Sequence, residues 1–327
     1  MAVLVTGGAG YIGSHMVLEL LDADEKVVVL DNLSTGFRWA VPDGATLIVG
    51  DFGDMALVDT IICEHAIEAI IHFAAKIVVP ESVADPLTYY ENNTSKARNL
   101  IAAAVARGVK HFIFSSTAAV YGEPRANPVS EDEPQDPVSP YGRSKLMVEW
   151  MLQDVSRAHA LKHVVLRYFN VAGGDPKGRA GQSTPNATHL IKVAVQSALG
   201  MRTGMEVFGV DYPTPDGSCL RDYIQVSDLA RAHMDALRYL RAGGDSLVCN
   251  CGYGKGYSVL DVIKVVKDVS GVDFPVKISG RRPGDPAAIV AGNARVQEKL
   301  GWRPQHDDLR QIVAQALDWE RRLHNRG

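Results

Sequence analysis

The chain has 327 residues, 46% of them hydrophobic and 22% charged, with a formal net charge of −4. This is the composition of a globular protein long enough for a large core and two lobes. Acidic and basic residues are interspersed, which argues against a nucleic-acid or anionic-membrane surface. The longest apolar run, AIEAIIHFAAKIVVPESV, is broken by Glu68, His72 and Lys76, so no membrane span is expected.

The first residues, MAVLV, lack the basic stretch, apolar stretch and cleavage site of a secretory signal, so a cytoplasmic enzyme is expected. Four cysteines are few for this length. Cys63 and Cys219 stand alone, and Cys249 and Cys251 form C-N-C with no further His or Cys nearby to complete a metal site. Thiols in a reducing compartment, and no metal, are expected.

In chain order, the first strand candidate is VLVTG (3–7). Gly8, Gly10 and Gly13 then form G-x-G-x-x-G, and Gly7, Gly10 and Gly13 form G-x-x-G-x-x-G, before the helical SHMVLELLDADE. Either pattern alone is weak, but a strand before and a helix after give it meaning. The glycines let the backbone approach a pyrophosphate, and the helix N-terminus offers unpaired N–H groups to the anion. The next strand candidate, KVVVLD (26–31), ends at Asp31 and Asn32. A carboxylate there suits the ribose hydroxyls and repels a 2′-phosphate, which favours NAD over NADP. The third, ATLIVGD (45–51), ends at Asp51, placed either to reach the adenine amine or simply to close the strand.

AIIHFAA (69–75), HFIFSS (111–116) and HVVLRYFN (163–170) follow, with the helical SKARNLIAAAVARGV between the first two. Within VSPYGRSKLMVEW (138–150), Ser139 suits an N-cap and Pro140 the first helical position. Tyr141 and Lys145 then share a face with Val148 and Leu152. The spacing alone leaves two readings open. Either Tyr141 packs and Lys145 snorkels, or a lysine on an apolar stripe is there for its charge.

The strand runs are apolar nearly throughout, as in strands covered on both faces. Strand, helix, strand in repetition predicts an α/β fold with a doubly wound parallel, Rossmann-type sheet. After residue 170 the pattern loosens into a smaller, loop-rich lobe whose clearest helices are VLDVIKVVKDVSG and LRQIVAQALDWERRLH. Residues 1–169 are expected to bind NAD and residues 170–327 the substrate, across a soft boundary that the chain is free to recross.

Ligands of such sheets bind beyond the carboxyl ends of the strands, and Thr117 sits there. Together, Thr117, Tyr141 and Lys145 resemble the catalytic set of the short-chain dehydrogenase/reductase superfamily. In that arrangement Lys145 lowers the tyrosine pKa. A base near neutrality needs a shift of about 3 units, roughly 4 kcal/mol, which two cationic neighbours, the ammonium and an oxidised nicotinamide, can supply.

The resemblance narrows to the nucleotide-sugar enzymes of the extended branch, and within them to the UDP-glucose 4-epimerase family. The matching segments are VTGGAGYIGSH, LDNLS, IHFAA, ESVADPLTYYENN, FSSTAAVYG, PYGRSKLMVE, LRYFNVAGG, FGVDYPTPDGSCLRDYIQVSDLARAH, RRPGD and LGW. They run in one order over nearly the whole chain. The resemblance implies that UDP-galactose and UDP-glucose are interconverted at C4 through a transient 4-keto sugar, with the hydride held on tightly bound NAD. It also implies a homodimer.

By the same resemblance, NAD is lined by Gly7, Gly10, Tyr11, Ile12, Gly13, Asp31, Asn32, Asp51, Phe52, Phe73, Ala74, Ala75, Lys76, Asn93, Tyr141, Lys145 and Phe169. The UDP-hexose is held by Thr117, Asn170, His189, Leu190, Phe208, Arg221, Arg282, Asp285 and Ile289. Two arginines from distant segments suit a diphosphate, and Asp285 suits the uridine ribose.

Four positions depart from the family. Thr117 stands where many relatives have serine. Lys76 lies one residue before their lysine, and Ile77 takes that place. His189 replaces a common asparagine. Ile289 replaces a pocket tyrosine, or the smaller residue of enzymes that accept N-acetylated sugars. Three other readings are a nucleotide-sugar 4,6-dehydratase, whose Asp-Glu pair is here Ala118 and Ala119, a UDP-uronate epimerase, and a silent NAD-binding protein.

Overall fold

Seven apolar runs form one parallel sheet. From edge to edge the strands are Leu247–Cys251, Lys162–Tyr168, His111–Thr117, Ile67–His72, Ala2–Thr6, Val27–Asp31 and Thr46–Val49. The computed structural model describes residues 1–325 apart from 186 and 283, so Pro283 of the RRPGD segment lies outside the described residues. Alternate side chains of each strand feed two cores. Val3, Val5, Val29 and Ile71 pack under one layer of helices, and Leu4, Leu30, Ile70 and Phe112 under the other. The sheet order reverses between Ala2–Thr6 and Ile67–His72, and at such a switch the crevice beyond the strand ends opens for a ligand.

The elements largely follow the sequence reading, with differences at several strand ends; the sixth, for example, stops at Tyr168 and Asn170–Ala172 is a separate strand. The fourth strand stops at His72, not Ala75, because Phe73 and Ala74 both turn their N–H groups onto Thr6 O, at 3.0 and 3.1 Å. The third runs only over Thr46–Val49. The helix after the glycines starts at Tyr11, directly behind the Gly10 cap. Helix Pro140–Ala158 is capped by Ser139, whose Oγ accepts from Gly142 N at 3.2 Å, and Val148 and Leu152 of its inner face are fully buried. Helix Val259–Ser270 has a capping box between Ser258 and Asp261 and ends on Gly271 at φ 72°.

Strand Leu247–Cys251 was not expected, and it belongs to the main sheet. It pairs with Lys162–Tyr168 and buries Cys249 and Cys251 completely, so the C-N-C spacing is strand alternation. All four cysteines are free thiols. Helix Val226–Arg241 also comes from the second half and packs beside Tyr11–Asp22 against the sheet. The chain thus recrosses residue 170 in the direction of the sheet.

The remaining strands form three small sheets. Tyr223–Gln225 pairs with Asn170–Ala172, Val276–Ser279 with Met205–Phe208, and Leu220–Arg221 lies between Tyr257–Ser258 and Ala288–Ile289. A third apolar cluster joins the halves, with Ala118, Val120, Tyr121, Leu146 and Phe169 packed against Val129, Ile289 and Ala291.

Candidate active site

The glycine turn is shaped for backbone contact. Gly7 has φ +74°, and a Cβ there would lie 2.7 Å from Ala74 N. A Cβ on Gly13 would lie 2.1 Å from Gly7 O. No side chain caps the helix that starts at Tyr11, so its first N–H groups are left for an anion. Asp31, 8% exposed, accepts from Ala9 N at 3.0 Å and Leu33 N at 2.8 Å. Those bonds keep the carboxylate at the strand end with acceptor capacity left for ribose hydroxyls.

The sequence reading ended this region at Asn32, and the chain beyond it folds back along the glycine turn. Ser34 N donates to Asn32 Oδ1 at 3.0 Å, Phe37 N donates to Ala9 O at 3.0 Å, and Gly36 lies flat against Ala9. The S-T-G after LDNL was the available signal for a turn folding back. Asp51 is already engaged, accepting from Gly53 N at 2.8 Å and pairing with Lys96 at 2.6 Å. Phe52 packs edge-on to His72, and Phe73 lies 4.7 Å from the His233 ring. Tyr11 Oη donates to Gly173 O at 2.8 Å, while Ile12 packs against the core.

Asn93 ties the 73–76 segment to the helix of Tyr141. Its Oδ1 accepts from Lys76 N at 2.8 Å, and its Nδ2 donates to Lys76 O at 2.9 Å and Ser144 Oγ at 3.1 Å. The turn that carries it, Glu91–Ser95, is a π-type widening of the helix, a distortion that often re-aims a functional side chain. The Lys76 side chain pairs at 3.0 Å with exposed Glu81, and Ile77 is exposed as well. At Lys76 it is therefore the backbone that meets the Asn93 network.

The reacting end is dry. Thr117, Tyr141 and Lys145 are 9%, 7% and 2% exposed. The helix geometry puts Tyr141 and Lys145 one turn apart, and the Thr117 side chain lies close enough to the Tyr141 phenol to act on it. Burial raises the Tyr141 pKa, and Thr117 partly opposes this. Burial lowers the Lys145 pKa to about 7, against the pull of the Glu149 charge. The ammonium sits 4.7 Å over the Phe114 ring and makes no hydrogen bond or ion pair among the described residues.

Glu149 is one turn further on, but Arg167 holds it at 2.6 Å and Ser116 hydrogen-bonds it. It therefore does not pair with Lys145. His72 also stacks on Phe114, and its Nδ1 is 2.6 Å from Thr6 Oγ1. Burial, then the Lys145 charge, lower the His72 pKa to about 3, so the ring is neutral. A buried ammonium without a partner, beside a glycine cradle and a strand-end carboxylate, fits a dinucleotide whose ribose supplies the missing oxygens.

Thr117 pairs in register with Tyr168, so Phe169 and Asn170 leave the sheet beside the reacting hydroxyls. Asn170 N donates to the carbonyl of buried Asp222 at 3.0 Å. Asp222, which the sequence reading missed, also accepts from Tyr253, Gly254 and Ala291 N–H groups and so fixes the second lobe's loops.

Four expected substrate residues meet. Asp285 lies 3.0 Å from Arg282 and 3.6 Å from Arg221, and the Arg282 guanidinium covers Phe208 at 4.5 Å. Arg221 also donates to Leu220 O and Pro286 O, both at 2.9 Å. Ile289, 8% exposed, is Arg221's register partner and packs in the cluster with Phe169 and Leu146. His189 and Leu190 start helix Leu190–Ala198, and Gln182 Nε2 lies 2.9 Å from His189 Nδ1.

A glycine cradle at the switch of a parallel sheet, with a buried Tyr-x-x-x-Lys beyond its central strands, defines a nucleotide-dependent oxidoreductase-type site. The chain belongs to the NAD-dependent epimerase/dehydratase family, whose sequence profile matches residues 3–252. It is 55% identical over 321 residues to a UDP-glucose 4-epimerase of Azospirillum brasilense, covering 98% of this chain and 92% of that one. The crystal structure of UDP-glucose 4-epimerase from Brucella ovis in complex with NAD superposes with a TM-score of 0.95 at 43% identity, covering 97% of each chain. The UDP-Glc/GlcNAc 4-epimerase from Campylobacter jejuni gives 0.87 at 46% identity over 98% of this chain and 99% of that one.

Proposed function

We propose that the chain is an NAD-dependent isomerase that interconverts UDP-galactose and UDP-glucose at C4. The observation that carries this reading is the buried Lys145 ammonium, free of carboxylates, one helical turn from the buried phenol of Tyr141.

Residues 1–169 hold the cofactor, chiefly through Gly7, Gly10, Gly13 and Asp31 and through Tyr141 and Lys145, and residues from 170 on hold the nucleotide sugar. When bound there, NAD would supply the acceptor, and then the donor, of the C4 hydride. Tyr141, as phenolate, takes the proton of the sugar 4-hydroxyl and gives it back after the 4-keto sugar has turned over. Thr117 hydrogen-bonds the same oxygen. In the chain alone burial keeps Tyr141 a phenol, so its activation, about 4 kcal/mol for 3 units, depends on Lys145 and on the positive charge that arrives with the cofactor. Arg221 and Arg282 leave Asp285 to clamp the diphosphate, and Asp285 becomes available to the uridine ribose. Ala118 and Ala119 cannot move protons, which disfavours dehydration.

Ile289 also supports a second reading, that N-acetylated UDP-hexoses are accepted, since its side chain is smaller than the tyrosine of many relatives. The relative from Campylobacter jejuni carries both sugars in its name. Exposed Val83, Leu87 and Trp150, on neighbouring helices, support a homodimer through that face. Among the described residues no helix is long and apolar enough to cross a membrane. Free thiols support a cytoplasmic setting.

The test is to incubate the purified protein with UDP-galactose and no added NAD. UDP-glucose should form without net NADH. A 4-keto-6-deoxy product, or no sugar product, would remove the reading.

A further inference from the structure

The fold of residues 32–40 carries more than a cofactor contact. This segment lies along the glycine turn, tied down by Phe37 N on Ala9 O and by Gly36 flat against Ala9. Beyond it the Phe37 ring stacks on Trp39 at 5.1 Å, and Trp39 lies 6.2 Å from Trp319, at 32° between planes. Trp319 belongs to the C-terminal helix Leu309–His324 and is 4% exposed. It is held from behind. Its Nε1 donates to Ser183 Oγ at 3.1 Å, and Gly181 is so close that a Cβ there would lie 2.2 Å from the indole.

The helix itself is fixed independently of Trp39. Glu320 is ion-paired with buried Lys192, Arg322 donates to Gly178 O at 2.9 Å, and Gln225 Nε2 donates to Gln315 Oε1 at 2.8 Å. The two sides meet around a small cavity of about 10 Å³ lined by Gly10, Tyr11, Thr35, Phe37, Ser183 and Thr184. The segment that covers the glycine turn therefore cannot lift without parting Trp39 from Trp319.

We propose that Phe37, Trp39 and Trp319 form an aromatic clasp, made of positioning residues, that closes the 32–40 segment over the dinucleotide and sets its rate of release. The inference rests on the NAD reading above. The redox-neutral cycle needs its cofactor back after each hydride transfer, so slow release is useful to it, whereas an enzyme that exchanges oxidised for reduced cofactor needs the segment to open. Trp39 is 44% exposed and takes little part in the core, so it can be changed with limited effect on folding.

The experiment starts from holoenzyme freed of unbound nucleotide and follows NAD release into a solution containing an NAD-consuming trap. Trp39→Ala should release NAD roughly tenfold faster than the parent, the scale set by losing one aromatic pair. Its activity after dilution should fall and return on adding NAD, and Trp39→Phe should recover most of the slow release. If Trp39→Ala does not yield folded protein, Trp39→Leu takes its place with the same expectation. Release at the parent's rate overturns the clasp, as does fast release that Trp39→Phe leaves uncorrected. A parent that holds no NAD and makes no UDP-glucose would instead overturn the functional reading.

Discussion

The proposed cofactor side and the proposed nucleotide-sugar side are prepared differently. On the first, one charged group, the Lys145 ammonium, is buried and left without a hydrogen bond or ion pair among the described residues. Lys145 lies over the Phe114 ring, on which a neutral His72 also stacks, and Glu149, the nearest carboxylate on its own helix, is occupied by Arg167. On the second, the charges satisfy one another, with Asp285 between Arg221 and Arg282 and the Arg282 guanidinium lying on Phe208. A site whose polar groups wait unpaired gains fully from its ligand, while one that must first break its own ion pairs gains only the difference. The contrast predicts a retained cofactor and a sugar nucleotide that comes and goes.

The largest break in that contrast should come from Tyr141→Phe. Loss of the proton acceptor should lower kcat about 10³-fold while NAD stays bound after gel filtration. Lys145→Met should cost nearly as much activity and also weaken NAD retention. It has a second signature as well. The Lys145 pKa in the folded chain is lowered from 10.5 to about 7, so above pH 7 the unfolded chain binds the extra proton and the folded one does not. Stability of cofactor-stripped protein should therefore rise with pH from about 7 towards 10.5. Melting curves across that range should show the rise in the parent and a flatter profile in Lys145→Met.

On the other side, Asp285→Ala should raise KM for UDP-galactose about tenfold with NAD content unchanged, because only the exchanging ligand meets it. An equal loss of NAD would erase the distinction between the two sides. Ile289→Tyr is the mildest change. Turnover of UDP-galactose should stay within about threefold, while any turnover of UDP-N-acetylgalactosamine should vanish if the pocket width is what admits it.

The cofactor side was also the more legible from sequence. Its signals are local: the glycines, Asp31 one strand later, and Tyr141 and Lys145 within one helical turn. Residues 33–37 carry no such local signal because their place comes from folding back onto Ala9, and the sequence does not show that Asn93 bonds the main chain of Lys76. Leu247–Cys251 is five residues long, with Asn250 between two thiols, and neither length nor periodicity separates it from a loop. What makes it a strand is a distant partner, Lys162–Tyr168, and Asn250's bonds to Tyr121 and Val129. Arg221, Arg282 and Asp285 could be proposed only through the family pattern, because an isolated arginine in a loop has no signature of what it will face.

That late strand bears on how the protein is made at the ribosome. Until residue 251 has emerged, Lys162–Tyr168 is an open sheet edge, with unpaired backbone groups that invite other chains. The chain must therefore be synthesised past residue 251 before the main sheet can seal that edge, and a nascent chain stalled near residue 170 would be the species most in need of a chaperone.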